Sequence, residues 1–380
     1  MQGTRTSGKR EEGRGKNYSA RFSSRLAALR SRPVVRFVLA GTLAVLLPAC
    51  GQRATTGGAQ PESSKPLTIH LAYFPNVTHA VALVGTAKSM FAGAVGSNVT
   101  IDEQSFTAGP SEIEALFANA VDIGYIGPGP AINGYLKSKG KALRVIAGAS
   151  SGGAGLVVRN GAGITDIKSL AGKRVAVPQT GGTQDISLRH ALLSAGLNST
   201  DKGGNVNVLP VAPADTLTLF IKGELDAAWV TEPWISRLVK DGHGALQIDE
   251  RELWPGKKFA TTVVIVRTAF MNEHPDVVDS FLRAHVETVN WIETHPDEAI
   301  TVVGAKIKQV TGKSLPPDIM KSAFARTDFT YDPLRDTVNT FADWSNQLGY
   351  LHQDHTALGG FFDTGPLNRV LAADKRPPVP

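Results

Sequence analysis

Residues 110–128, PSEIEALFANAVDIGYIGP, recur in outline as residues 213–233, PADTLTLFIKGELDAAWVTEP. Each copy has the pattern of a helix that begins at a proline, a short turn, an aspartate that opens a strand, and a proline-containing loop after that strand. Proline suits the first turn of a helix, where its missing N–H costs no hydrogen bond. The recurrence predicts two lobes of similar construction. The alternative is a chance recurrence of a common helix-turn-strand unit.

Short apolar strands alternate with helical segments on both sides of this repeat. The pattern runs from Leu67 to Arg267, and only helices are predicted after it, near residues 275–294, 296–310, 317–326 and 333–348. Such alternation is typical of α/β proteins in which helices flank a mostly parallel sheet. The fold class predicted is therefore α/β, with a mixed, mostly parallel sheet in each lobe.

Four loops follow predicted strands and begin helices: residues 75–79, 127–130, 179–185 and 231–234. In open parallel sheets, ligands bind outside the carboxyl ends of the strands. The unpaired N–H groups and the positive dipole end of a helix N-terminus favour an anion there. If the two lobes face each other, all four loops meet in one cleft.

The loop at residues 179–185, QTGGTQD, carries the sharpest signal of the four. Gly181 and Gly182 allow close backbone approach to a ligand, and Thr180 and Thr183 add hydroxyl donors. No Lys-Ser/Thr pair follows the glycines, so the loop is not a nucleotide-binding P-loop. An ordinary glycine turn capped by Thr183 is the alternative.

The other loops offer candidates of less specific kinds. Asn76, Thr78 and His79 are polar groups at a helix start, where a plain helix cap or a surface histidine is also plausible. Trp229 and Trp234 suit an aromatic wall beside a polar anchor, and one of the two is expected to be buried support. Glu232 suits a ligand with an amino group, or a salt bridge that closes the lobes.

Cys50 is the only cysteine, and it follows the apolar run from Phe37 to Leu47 and Ala49. That run is too short to cross the hydrocarbon core, which takes about 20 residues as a helix. A charged segment, a short apolar stretch and a small residue before the cleavage point indicate an export signal. Residues 1–49 are predicted to be a signal peptide, and Cys50 a lipidated anchor. The polar, Gly- and Ser-rich residues 50–66 form its tether.

The basic character of the chain belongs to this leader. Residues 1–49 carry ten basic and two acidic side chains, a net charge of +8, while the whole chain is +6. The remaining residues therefore carry a net charge of −2, which offers no basic stripe for nucleic acid. With no second cysteine, no internal disulfide can form.

Signatures of catalysis are weak. Neither Gly-x-Ser-x-Gly nor His-Glu-x-x-His occurs, and no catalytic residue, cofactor or metal site is predicted. His352 and His355 have possible metal-ligand spacing, but a solvated loop is the preferred interpretation. An exported enzyme that uses His79, or the carboxylates of Asp185 and Glu232, is the rival hypothesis. A lipoprotein that only scaffolds partners is the third.

Four stretches, in this order, resemble the substrate-binding proteins of ABC importers for sulfonates, taurine and nitrate, the NMT1-like family. They are YFPNVTHA (73–80), FTAGPSEIEALFANAVDIGYIGPGP (106–130), VAVPQTGGTQD (175–185) and LFIKGELDAAWVTEPW (219–234). The likeness covers about residues 67–294. It implies the two-lobe periplasmic-binding-protein fold of type II, with crossovers near Leu156–Arg159 and Thr261–Arg267. Lobe I would comprise 67–158 and 262–380, and lobe II would comprise 159–261.

The resemblance also implies a function and a set of ligand contacts. A lipid-anchored, monomeric binding protein would capture a small sulfonate-like anion outside the cytoplasm and deliver it to a membrane permease. Taurine, nitrate and thiamine-precursor pyrimidines stay open, because Glu232 stands where alkanesulfonate binders commonly have an Asp-Pro or neutral turn. The residues that would line the site are Asn76, Thr78, His79, Gly127, Pro128, Thr180, Gly181, Gly182, Thr183, Trp229 and Glu232.

Overall fold

The computed structural model describes residues 66–380, so the predicted signal peptide and Cys50 lie outside the described residues. Two mixed β-sheets, each flanked by helices, form two lobes. The strands are β1 (Leu67–Tyr73), β2 (Val99–Ser105), β3 (Ile123–Ile126), β4 (Leu143–Gly152), β5 (Ala154–Arg159), β6 (Arg174–Val177), β7 (Asn207–Pro210), β8 (Ala227–Thr231), β9 (Gly244–Asp249), β10 (Ala260–Arg267) and β11 (Thr327–Phe329).

Helices fill the connections between strands and most of the C-terminal part of the chain. They are α1 (Ala80–Ala87), α2 (Met90–Val95), α3 (Gly109–Phe117), α4 (Pro128–Lys137), α5 (Thr183–Ser194), α6 (Pro213–Ile221), α7 (Trp234–Lys240), α8 (Thr268–Glu273), α9 (Pro275–Thr294), α10 (Pro296–Thr311), α11 (Pro317–Phe324), α12 (Arg335–Gln347) and α13 (Gly365–Ala373).

The two sheets have the same internal order. The first runs β11-β4-β10-β3-β1-β2 and the second runs β7-β6-β8-β5-β9. Apart from the edge strand β11, each sheet therefore has three parallel strands, β2-β1-β3 or β7-β6-β8, next to an antiparallel strand that arrives from the other lobe, β10 or β5. The repeat in the sequence corresponds to this structural equivalence.

The aspartate in each copy of the repeat joins neighbouring strands of its sheet in the same way. Asp122 accepts hydrogen bonds from the backbone N–H of His70 on β1 and from the guanidinium of Arg267 on β10. Asp226 accepts equivalent bonds from the backbone N–H and guanidinium of Arg174 on β6, and from Arg159 on β5. Each carboxylate thus ties its own strand to a parallel and an antiparallel neighbour through charge-assisted hydrogen bonds.

The chain passes between the lobes at positions that differ from those predicted. Leu156–Arg159 and Thr261–Arg267, the expected crossovers, are paired inside the second and first sheets respectively. The first passage is Gly152–Gly153, whose φ angles of 74° and 67° favour glycine. The return passage is the two short 3-10 turns between β9 and β10.

The C-terminal helices cover the first sheet. α9 begins at Pro275 and ends at Thr294, as predicted, and it buries Phe281, Leu282 and Val289 in the core beside β1 and α1. The prediction of helices alone after Arg267 was wrong, because β11 adds an antiparallel edge strand next to β4. Three residues are too few to give a strand periodicity.

We expect Asp226→Asn to lower the free energy of unfolding at pH 7 by about 2 kcal/mol, the range for hydrogen bonds to a charged group. The hydrogen bond from Arg174 is the main reason why the pKa of Asp226 is below its usual value. A lowered folded-state pKa stabilises the protein above the unfolded-state pKa and loses that effect in acid. Urea unfolding should therefore show a smaller difference at pH 3 than at pH 7.

Asp374→Asn, an exposed change on the C-terminal segment, is the matched control and should have little effect at either pH. An equal loss at both pH values in Asp226→Asn would contradict the ion-pair account.

Candidate ligand-binding site

A cavity lies between the lobes at the carboxyl ends of the parallel strands. Five helices of at least eight residues begin at its wall: the lining includes the N-cap or first residue of each, namely His79 (α1), Gly109 (α3), Gly127 (α4), Gly182 and Thr183 (α5) and Pro213 (α6). The shorter α7 also begins there, at Trp234. The strand-end loops of the two sheets therefore meet in one place, as a two-lobe arrangement requires.

These five helix starts lack the usual side-chain cap. The N-caps are His79, Ala108, Gly127, Gly182 and Ala212, and in none of these described helices does the cap side chain accept a hydrogen bond from the N–H groups of its own helix. The first N–H groups of a helix have no partner inside the helix. Each N-terminus also carries roughly half a positive charge from the aligned peptide dipoles. The cavity is consequently positive in potential, but fewer N–H donors face it than five helix starts would supply, because Pro128, Pro130 and Pro213 carry no N–H and that of Gly129 is already bonded to Thr183.

No formal charge accompanies those donors. Among the described residues, those that line the cavity include no lysine, arginine, aspartate or glutamate. His79 is the one lining histidine; burial lowers its pKa to about 3, so the imidazole is neutral at physiological pH. Its Nδ1 accepts a hydrogen bond from the backbone N–H of Phe74 at 3.2 Å, and the two rings stack.

Glycine lets the lobes approach each other at the cavity. The N–H of Gly129, in the first turn of α4, donates to Oγ1 of Thr183 at the start of α5, 3.2 Å away. A Cβ on Gly127 would lie 2.3 Å from that same oxygen. A larger side chain at Gly127 would therefore displace the Thr183 side chain and the hydrogen bond that it accepts from Gly129.

Asn76 joins the lobes on the other side of the cavity. Its amide Nδ2 donates to Oγ1 of Thr231 at 3.3 Å, and its Oδ1 accepts from the indole N–H of Trp234 at 3.2 Å. Asn76 belongs to the first lobe, whereas Thr231 and Trp234 belong to the second. The cavity volume in this arrangement is about 30 Å³, whereas one water needs about 10–15 Å³. The lobes are therefore close together.

Six of the eleven residues predicted for the site line this cavity: Asn76, Thr78, His79, Gly127, Gly182 and Thr183. Five lie outside it: Pro128, Thr180, Gly181, Trp229 and Glu232. Gly181 lies next to the cavity, but its N–H donates to Oδ2 of Asp185. Pro128 is the first residue of α4 and is buried.

Trp229 and Glu232 are both buried, and each has partners outside the cavity. Trp229 is fully buried in the core of the second lobe, where its indole N–H donates to Glu250 at 2.7 Å. Glu232 is also fully buried, and it accepts from the N–H and hydroxyl of Ser236 and from Arg326 at 3.1 Å. Arg326 precedes β11 in the first lobe. Glu232 therefore bridges the lobes, one of the two roles open from sequence.

Residues at two further strand ends were missed. Thr107, Ala108 and Gly109 follow β2, and Pro213 follows β7. The signal was present, because both segments open the helices of the sequence repeat. The remaining lining residues that sequence reasoning did not single out include Phe74, Pro178, Val230 and Thr261.

Of the groups named for an enzymatic alternative, His79 lines the cavity and the two carboxylates do not. Asp185 is fully buried and accepts from Gly181, from Arg189 and from the hydroxyl of Tyr350, and it does not line the cavity. Neither does Glu232. Within residues 66–380, no cluster of three or more potential metal ligands occurs, and the ring of His355 contacts Asp343. None of the helices in that range is long and apolar enough to cross a membrane.

Known proteins share this architecture. The alkanesulfonate-binding protein SsuA of Xanthomonas axonopodis, bound to MOPS, superposes with a TM-score of 0.63 at 21% identity, covering 76% of this chain and 94% of its own. The nitrate-binding protein NrtA of Synechocystis gives a TM-score of 0.70 at 15% identity, with coverage of 83% and 92%. At these identities the likeness establishes the fold alone, the two-lobe fold of these binding proteins.

The sequence identifies the family. Residues 62–306 match the NMT1-like family, and the chain belongs to it. A putative aliphatic sulfonates-binding protein of Bacillus subtilis is 28% identical over 67% of this chain and 73% of its own length. The taurine-binding periplasmic protein of Escherichia coli is 28% identical over 57% and 64%. The chain spans about three fifths (62%) of putative binding proteins from Brucella species that it matches at 28% identity over 54% of its length.

We predict that the imidazole of His79 does not titrate between pH 8 and pH 4, because burial disfavours its charged form and lowers its pKa to about 3. Histidine-selective NMR of the full-length protein would follow the ring signals across this range. His355 is an internal control: it is exposed, and the hydrogen bond to Asp343 raises its pKa above the usual value. Titration of His79 near pH 6.5 would show that the cavity holds a cation.

Proposed function

We propose that this protein is the solute-binding component of an ABC importer and captures a small sulfonate-like oxyanion between its lobes. The observation that carries the proposal is the convergence of five uncapped helix N-termini on a cavity without formal charge. Backbone N–H groups at helix starts are suited to oxygen atoms that carry negative charge. The names of the relatives, for aliphatic sulfonates and taurine, support the same chemistry.

The uncharged lining suits a carrier that must also release its cargo. Donors and dipoles stabilise an oxyanion without the desolvation cost of a buried lysine or arginine. The hydroxyl of Thr183, the amide of Asn76 and neutral His79 add polar groups to the backbone donors. A sulfonate presents three oxygen atoms to such a cage, and its organic part needs an apolar wall, which Phe74 and Trp234 supply.

Closure of the lobes supports the transport role. The Gly129–Thr183, Asn76–Thr231 and Glu232–Arg326 contacts each join one lobe to the other, so they form only when the lobes meet. A solute that contacts both lobes stabilises that closed form by its differential affinity. The closed surface would be the one that the membrane permease recognises, and no second copy of the chain is needed.

We also propose that the protein acts outside the cytoplasm and is held there by a lipid on Cys50. The apolar run before Cys50 and the polar tether after it support this placement. Lipidation would leave residues 66–380 free to move near the membrane surface on their tether.

Isothermal titration of the full-length protein with sulfonates, taurine, nitrate, bicarbonate and a pyrimidine precursor tests the ligand class. A sulfonate should bind more tightly than millimolar. Thr183→Val should weaken that binding about tenfold, because it removes a hydroxyl from the cavity and the acceptor of Gly129. Thr183→Ser should keep most of the affinity.

The control is Thr301→Val, an exposed change on α10 that should not alter binding. Millimolar or weaker binding of every oxyanion would remove the proposed ligand class, and turnover of a bound ligand would favour the enzymatic alternative.

The anchor has a separate test. In the original host, the wild-type protein should partition into the membrane fraction and carry a diacylglycerol detectable by mass spectrometry at Cys50. Cys50→Ala should abolish the modification and release the protein or leave it unprocessed. Release of the wild-type chain without lipid would contradict the anchor.

A further inference from the structure

A second cavity, of about 250 Å³, adjoins the first and is also formed by both lobes. Asn76, Thr107, Pro213 and Trp234 line both cavities, so the two share a wall. We call the second one the tail cavity. Its remaining lining residues are Pro75, Phe106, Ala212, Ala214, Pro233, Arg237, Ile307, Thr311, Lys313 and Leu315.

One cross-lobe hydrogen bond joins two of the four residues that the cavities share. The indole N–H of Trp234 donates to Oδ1 of Asn76 at 3.2 Å. Each partner comes from a different lobe, and a single neutral hydrogen bond contributes only about 1 kcal/mol. The two cavities are therefore separated at this point by side chains rather than by backbone alone.

The tail cavity has a different chemical character from its neighbour. Most of its surface is supplied by apolar side chains of Phe106, Ile307, Leu315 and Trp234, with prolines and alanines between them. The charged residues in its lining are Arg237 and Lys313, and no carboxylate occurs among the described residues that form it. Arg237 lies over the Trp234 ring, with 4.9 Å from guanidinium carbon to ring centroid, and pairs with Asp241.

We propose that the tail cavity binds the organic part of the sulfonate, and that it selects an uncharged alkyl or aryl tail over one that ends in an ammonium group. This inference rests on the proposed function, because the sulfonate head must occupy the first cavity. Apolar walls gain from every methylene removed from water. An ammonium group would lose its hydration and face Arg237 and Lys313 without a carboxylate partner.

The position of the tail cavity supports one continuous ligand rather than a separate one. Because the two cavities share a wall, a tail in one cavity can be bonded directly to a sulfonate head in the other. Both lobes contribute residues to each cavity. A ligand with head and tail would thus stabilise the closed form from two places. The affinity of the protein for a sulfonate should then rise with the length of its tail until the tail cavity is filled.

The test is isothermal titration of the full-length protein with methane-, ethane-, propane- and butanesulfonate and with taurine, which is close in size to propanesulfonate. Each added methylene should raise the affinity about fourfold. Propanesulfonate should bind at least tenfold more tightly than taurine. Equal affinities along the alkyl series, or tighter binding of taurine, would overturn the tail proposal while leaving the oxyanion site intact. Failure of every sulfonate to bind would overturn both.

Two variants locate the effect. Ala214→Phe fills the tail cavity from an exposed position on α6, and it should remove the gain of butanesulfonate over methanesulfonate. Lys313→Glu should lower the ratio of the affinities for propanesulfonate and taurine at least threefold, because it places a carboxylate where an ammonium group can pair with it. Ala305→Phe and Lys308→Glu, exposed changes on α10 outside the cavity, are the matched controls. If Ala214→Phe weakens all sulfonates equally, or none, the tail lies elsewhere.

Discussion

The cavity between the lobes depends on how the two sheets are oriented. The carboxyl ends of the parallel strands in both sheets face the same gap. That orientation brings the N-termini of α1, α3, α4, α5 and α6 to the same cavity. No single helix start would hold an oxyanion strongly in water, since one dipole contributes at most about 2 kcal/mol. The site is therefore a property of the two-lobe arrangement rather than of any one motif.

Contacts that cross from one lobe to the other set the position of the two lobes relative to each other. Gly129–Thr183 and Asn76–Trp234 join the lobes at the cavity, and Glu232, which is fully buried, pairs with the half-buried Arg326 of the other lobe. Burial raises the pKa of Glu232, and the bonds from Ser236 and Arg326 oppose that rise. In the proposed function, capture of a solute and closure of the lobes are consequently linked, because both require the same approach of the two halves.

Local sequence patterns predicted the parts of this structure that depend on local geometry. The repeat around Asp122 and Asp226 indicated equivalent lobes, and the rule for strand ends indicated Asn76, Gly127 and Thr183. The family and the two-lobe fold are confirmed by the comparisons. The ligand roles of the individual residues stay predictions.

The errors arose where a residue's surroundings come from distant parts of the chain. Trp229 and Trp234 are five positions apart, but only the structure shows that Trp229 points into the core of its lobe while Trp234 reaches the cavity. Glu232 finds Arg326 at a separation of 94 residues, which no local pattern reveals. The observed lobe boundaries differ from the predicted ones because the pairing of strands decides which lobe a segment belongs to. The chain passes from the first lobe to the second at Gly152–Gly153, before the predicted boundary.

The most direct measurement is a crystal structure of the protein with a bound sulfonate, in which anomalous scattering locates the sulfur atom. We predict that the sulfonate oxygens lie about 2.7–3.2 Å from backbone N–H groups at the starts of helices from both lobes, with no lysine or arginine in contact with the head group. A sulfonate held by a cationic side chain, or bound outside the gap between the lobes, would contradict it.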